Sequence, residues 1–174
     1  MYKYACLKVT YILEQLGKYK FQSDIDKSNL TIQQLTMCDN GKYIYFGQID
    51  PGNDKHEGQG IQVWDNGGIH EGYWHDGVAH GVGRRIYANG QVYEGSWVDG
   101  ERSGYGVCTW PDKARYEGEW ENDMRNGKGI ITWSDGAEYN GGWKDDKRHD
   151  YGVFTSDNGS KMAWKWLDNQ YQGQ

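Results

Sequence analysis

The stretch Tyr116-Glu117-Gly118-Glu119-Trp120-Glu121-Asn122-Asp123-Met124-Arg125-Asn126-Gly127-Lys128-Gly129-Ile130-Ile131-Thr132-Trp133-Ser134-Asp135-Gly136-Ala137-Glu138 decides the fold. Its first five residues alternate ring, polar, glycine, polar, ring. In a β-strand that spacing puts both rings on one face with a bare backbone position between them. A Gly-x-Gly pair follows at Gly127 and Gly129, then an aromatic at Trp133 and a turn signal at Asp135-Gly136. Copies of the opening begin at His70, Tyr93 and Tyr139, so the four starts lie 23 residues apart. Degenerate copies start at Tyr45 and Met162, the first lengthened by two residues around residues 51–54. Twenty-three residues hold two strands of about six residues and two turns. Asp76-Gly77 and Asp99-Gly100 suit tight hairpin turns, because glycine accepts positive φ cheaply. Asn122-Asp123 and Asp145-Asp146 stand at the same place and are expected to form looser turns.

The chain has 174 residues, with 19 basic and 25 acidic side chains. Mean hydropathy is low, at −0.97, yet 9 Trp, 14 Tyr and 3 Phe argue against disorder, which is poor in aromatics. Glycine numbers 26, and only Gly17 precedes residue 41; no tryptophan does. No apolar run approaches the ~20 residues of a membrane-spanning helix. The opening, Met-Tyr-Lys-Tyr-Ala-Cys-Leu-Lys, interrupts its apolar residues with lysines, so no secretory signal is expected. Cys6, Cys38 and Cys108 form no Cys-x-x-Cys pair and fit thiols in a reducing compartment, which makes the chain read as cytoplasmic.

Residues 1–34 differ from the rest. Tyr2, Ala5/Cys6, Val9, Ile12/Leu13 and Leu16 recur at helical spacing, which predicts an amphipathic helix over 2–19. Its expected role is to cap the repeat array, with docking of a partner as the alternative. Residues 35–174 then form the array, starting on a first strand that ends near Met37.

Candidate chemical sites are few. Gly81-Val82-Gly83-Arg84-Arg85 imitates a phosphate loop, but the repeat accounts for both glycines. His70, His75 and His80 are evenly spaced, yet His70 merely replaces the repeat tyrosine, and strand alternation sets His70 and His75 on opposite faces. No nucleophile-and-base pairing stands out, so no catalytic residue, metal or cofactor is expected. The repeated rings Trp74, Trp97, Trp120, Trp143, Tyr93, Tyr116 and Tyr139 are read as the structural repeat and interaction face. Ile61, Val107, Ile130 and Val153 fall on the opposite face, and a single layer cannot bury both.

The unit Tyr-Glu-Gly-Glu-Trp-x-x-Asp/Gly-x-x-x-Gly-x-Gly resembles the MORN repeat (membrane occupation and recognition nexus), from Tyr45 to the C-terminus. The resemblance implies a mainly β protein: an elongated single-layer antiparallel meander of hairpins. Twelve strands at ~4.8 Å would give a ribbon on the order of 50–60 Å long. It also implies a non-catalytic scaffold for other proteins, in cilia, axonemes or other cytoskeletal assemblies, or an accessory segment of a lipid kinase or lysine methyltransferase. Partners would be a helix or a neighbouring subunit on the sheet face, a second copy of the chain included. Phospholipid attachment is the lesser alternative. Six basic and four acidic groups precede residue 43 but thirteen and twenty-one follow, so anionic headgroups would be drawn only by a local cluster such as Lys144, Lys147 and Arg148. The same acidity argues against nucleic acid.

Overall fold

A computed structural model describes residues 32–37 and 43–172 of the chain. The helix expected over 2–19 lies outside the described residues. The strands are β1 (Ile32–Met37), β2 (Tyr43–Ile49), β3 (His56–Trp64), β4 (Ile69–His75), β5 (Val78–Ile86) and β6 (Val92–Val98). They continue as β7 (Glu101–Thr109), β8 (Arg115–Glu121), β9 (Met124–Thr132), β10 (Glu138–Lys144), β11 (Lys147–Thr155), β12 (Lys161–Leu167) and β13 (Gln170–Tyr171). All belong to one open sheet in chain order, each strand antiparallel to the next. The fold is the elongated meander that the repeat implies, extended by the two-residue β13.

Each repeat pairs a seven-residue strand with a nine-residue one, and the two lengths are reconciled by a bulge. In the hairpin of β6 and β7, Gly95 faces Gly106 and Trp97 faces Arg102, so residues 103–105 stand opposite Ser96 alone. The first glycine of the Gly-x-Gly pair makes this possible. Gly58, Gly81, Gly104 and Gly127 all hold φ between 68° and 79°, where a β-carbon is costly. Asp150 occupies the same place in the last full repeat with φ of 56°, a conformation aspartate tolerates better than most residues. The second glycine has a different duty. A β-carbon on Gly106 would sit 2.2 Å from the Tyr93 hydroxyl, and one on Gly129 would sit 2.2 Å from that of Tyr116. One glycine bends the strand; the other clears a floor for a ring.

The tight turns follow a rule that sequence reading inverted. At every one, the backbone N–H of the second turn residue donates to a carbonyl 21 residues earlier: Gly77 to His56, Gly100 to Ala79, Asp123 to Arg102, Asp146 to Arg125 and Asn169 to Arg148. Where that residue is glycine it has no side chain to add to the tie, and at the first turn Asp76 instead pairs with Lys55 and donates its backbone N–H to Glu57 Oε2 at 3.1 Å. Where it is Asp123 or Asp146, its carboxylate also accepts from the arginine's backbone N–H, at 2.9 and 3.0 Å, and from its Nε, at 2.8 and 2.7 Å. The expectation of looser Asn-Asp and Asp-Asp turns is therefore corrected. They carry more bonds than the Asp-Gly turns, and these charge-assisted bonds offset the strain of positive φ in a non-glycine residue.

The opposite ends of the hairpins close through wider loops. Trp64, Tyr87, Trp110 and Trp133 each donate a backbone N–H to the carbonyl four residues on, with an Asn or Asp side chain bracing the bend.

Gly118 tests the requirement for a bare floor. Its β-carbon would come within 2.5 Å of Gly129 Cα and the Lys128 carbonyl oxygen, backbone atoms that cannot step aside. Gly118→Ala should cost about 2–3 kcal/mol, read as a lower urea midpoint. An unchanged midpoint would contradict the geometry.

Candidate interaction face

One face of the sheet is built from rings. Each repeat tyrosine lies flat over its glycine pair and donates its hydroxyl to the carbonyl three residues on: Tyr45 to Gln48, Tyr93 to Ser96, Tyr116 to Glu119 and Tyr139 to Gly142, at 3.0–3.1 Å. Each repeat tryptophan reaches back fourteen residues. Trp74, Trp97, Trp120 and Trp143 donate their indole N–H to the carbonyls of Gly60, Gly83, Gly106 and Gly129 at 3.1–3.3 Å. The second glycine thus gives a ring its floor and gives the next repeat an acceptor.

The rings meet edge to face without interruption. From Tyr45 the contacts run through Trp74, His70, Trp97, Tyr93, Trp120, Tyr116, Trp143 and Tyr139 to Trp166, with centroids 4.9–5.7 Å apart and planes 81–87° to one another. Such pairs add about 0.5–1.5 kcal/mol each beyond the area they bury. Guanidinium groups roof the ladder. Arg102, Arg125 and Arg148 sit 4.1, 4.3 and 4.0 Å over Trp120, Trp143 and Trp166. The equivalent place over Trp97 holds Ala79, whose small side chain leaves room for Arg85 to reach in at 4.5 Å. Arginine stacked on an indole and bound through its edge is held in both directions.

All seven rings singled out from sequence are buried on this face, none more than 5% exposed. They are spent on the sheet itself. Of the lysine–arginine cluster, Lys144 and Lys147 face each other across a turn, whereas Arg148 is engaged by Tyr139, Trp166 and Asn169. The histidines separate as their spacing requires. His70 is in the ladder, and the rings of His75 and His80 meet 5.7 Å apart beside the turn. Among the described residues no group of three or more His, Cys, Asp or Glu could hold a metal ion.

Sequence reading missed the arginine roof. Its signal is the recurrence of arginine at 102, 125 and 148, each 21 residues before an Asp or Asn in a turn. The opposite face was foreseen only in part. Its middle row runs through Ile61, Glu71, Arg84, Glu94, Val107, Glu117, Ile130, Asn140, Val153 and Ala163. This face carries exposed apolar side chains: Val82 on β5 is 44% exposed, and from β7 onward Tyr105 is 58%, Tyr151 75% and Val153 38% exposed. A trough of about 950 Å³ opens there, lined by Asn140, Gly142, Tyr151, Val153 and Ala163. Gly142 is part of its lining, where earlier units have Ser96 or Glu119; a β-carbon there would lie 2.4 Å from the His149 carbonyl oxygen.

His70 shows what the tyrosine place costs when filled by another ring. It is fully buried, neither ring nitrogen has a hydrogen-bond partner, and burial followed by the nearby Arg85 charge lowers its pKa to about 3. Burial lowers that of His56 to about 4. In the unfolded chain both titrate near 6.5, so below that pH the unfolded state binds more protons and stability falls with acidity. The window runs from 6.5 down through 4 toward 3.

His70→Tyr should therefore flatten the fall in Tm between pH 6.5 and 4 and add about 1 kcal/mol by restoring the hydroxyl bond. Parallel pH profiles of variant and parent would contradict the assignment. Trp120→Ala should cost about 3–5 kcal/mol in chemical unfolding, because a buried ring, its hydrogen bond and the floor of a guanidinium go together.

Comparisons place this architecture. The model of the MORN repeat matches residues 53–69, 70–92, 93–115, 116–138 and 139–161, without a gap. No curated protein matches the chain in sequence. Among solved structures, the TCP domain of Drosophila melanogaster SAS-4 (dCPAP), in complex with a proline-rich motif of Ana2 (dSTIL), is similar at 12% identity and a TM-score of 0.39. That match covers 83% of this chain and 91% of the other. Five tandem repeats in one unbroken antiparallel sheet, held together by the ladder of repeat rings, make an all-β repeat scaffold, and the chain belongs to the MORN-repeat family.

Proposed function

We propose that this chain gathers other proteins on the face opposite the ring ladder, from β7 to β12, as a structural component of a cytoskeletal assembly of the ciliary or axonemal kind. The observation that carries the reading is the exposure of Tyr105, Tyr151 and Val153, the last two lining an open trough, on a sheet whose other face is closed by its own rings and arginines. Exposed apolar and aromatic side chains rimmed by Glu121, Lys128 and Lys144 have the make-up of a protein-binding patch. A repeating strand spacing gives a helix or a neighbouring subunit a regular surface to follow. The cytoskeletal setting rests on the family resemblance.

The test separates binding from folding. Tyr105→Ala combined with Tyr151→Ala should change stability by no more than about 0.5 kcal/mol, since both rings are largely solvated. Proximity cross-linking of the full chain in its own cells should capture cytoskeletal neighbours, and the double variant should lose them. Retention of the same neighbours would overturn the choice of face. Sedimentation with anionic vesicles, abolished by Lys144→Glu/Lys147→Glu, would instead support phospholipid attachment.

A further inference from the structure

The face opposite the ladder changes character along its length. On β3 to β5, Val63 and Ile69 are buried, with Ile61 and Ile86 packed against them. Glu71 and Arg84, paired across β4 and β5, are 3% and 5% exposed. Farther along the same rows the pattern is lost. The Glu94 and Glu117 side chains, which repeat Glu71, are 49% and 35% exposed, and Thr109 and Arg115 stand exposed where Ile86 and Ile69 stood. Yet every described residue belongs to the sheet or to its connections, and none forms a second layer over the patch. In a single-layer sheet a fully buried isoleucine and a buried ion pair require a cover that the sheet does not supply.

We propose that residues 2–16 of this chain, as an amphipathic helix, lie across the back of β3–β6 and cover Ile61, Val63, Ile69, Ile86 and the Glu71–Arg84 pair. Three features select this occupant. The segment leads into β1, the first strand of the sheet, so it starts at the end where the patch lies. Its length fits: fifteen helical residues span about 22 Å, enough to cross the four strands β3–β6, whose axes span about 14 Å. Its composition fits as well, because Tyr2, Ala5/Cys6, Val9, Ile12/Leu13 and Leu16 make one apolar stripe for an apolar row. The sheet's own side chains mark where the cover stops. Past Val92 the row turns to Thr109, Arg115, Thr132 and Glu138, which need no shelter. A helix that short is marginal alone in water and gains its stability from the face it buries. This placement goes beyond the partner reading and holds whether or not β7–β12 binds anything.

Hydroxyl-radical footprinting of the full chain tests it. In the unaltered protein Ile69 and Ile86 should be oxidised far less than Val107, Ile130 and Val153. Ile12→Asp/Leu13→Asp should raise oxidation of Ile69 and Ile86 several-fold and leave the other three unchanged, with the near-UV signal of the ring ladder intact. If that signal collapses, the single substitution Leu16→Asp carries the same comparison. Protection of Ile69 and Ile86 that survives these substitutions would overturn the proposal. So would protection that fades on dilution of the unaltered chain, which would identify the cover as a second copy.

Discussion

A tyrosine ring resting on two facing glycines is the interaction from which the rest of this molecule follows. A single-layer sheet has no second layer to bury its apolar side chains, so they must be buried within the face itself. Deleting the side chain at Gly95 and Gly106, at Gly118 and Gly129 and at Gly141 and Gly152 lowers the floor by the height of a β-carbon, and the ring drops into the space. Once the phenol is flat, its hydroxyl meets a backbone carbonyl and its edges meet the indoles on either side. The indole stands upright because its N–H reaches the carbonyl of the preceding repeat's glycine. Each ring is therefore fixed by two repeats, which couples neighbours along the ribbon much as stacked units are coupled in other repeat proteins.

The variations between repeats obey the same logic. Arginine at 102, 125 and 148 comes with Asp123, Asp146 and Asn169 in the following turn, while Ala79 and His56 come with Gly100 and Gly77. At these three places the carboxylate or amide of the turn accepts from the guanidinium's Nε. Where the arginine is missing, the turn returns to glycine, and Arg85 supplies the roof from another row. His70 and Arg85 depart from the pattern together on facing positions of β4 and β5, so the irregular repeat is repacked around the histidine, at the cost of the hydroxyl bond a tyrosine makes there.

Much of this was legible in the sequence, for a physical reason. The two-residue period of a strand and the 23-residue spacing of Tyr-x-Gly-x-Trp leave one arrangement in which rings and glycines coincide, so the meander and the buried ladder could be read directly. The two glycines of Gly-x-Gly could be counted but not told apart, because one answers to backbone torsion and the other to a ring on the same strand's partner. The clamp between Arg125 and Asp146 joins residues 21 apart and shows only once hairpins are in register. For that reason the Asp-Asp turn, judged by torsional preference alone, was misread as loose. The uneven cover of the far face was equally hidden. Ile69 and Arg115 occupy one row only after every bulge has been counted, and nothing in either residue's neighbours in sequence announces that one is sealed and the other wet.

The ladder can be examined proton by proton. The indole N–H groups of Trp74, Trp97, Trp120 and Trp143 donate to buried glycine carbonyls, whereas that of Trp166 has no acceptor. Hydrogen exchange followed by NMR on the tryptophan side chains reads this directly. Four indole protons exchanging orders of magnitude more slowly than free indole, and outlasting that of Trp166, is the expected result. Exchange of all nine at the rate of solvated indole would contradict the account.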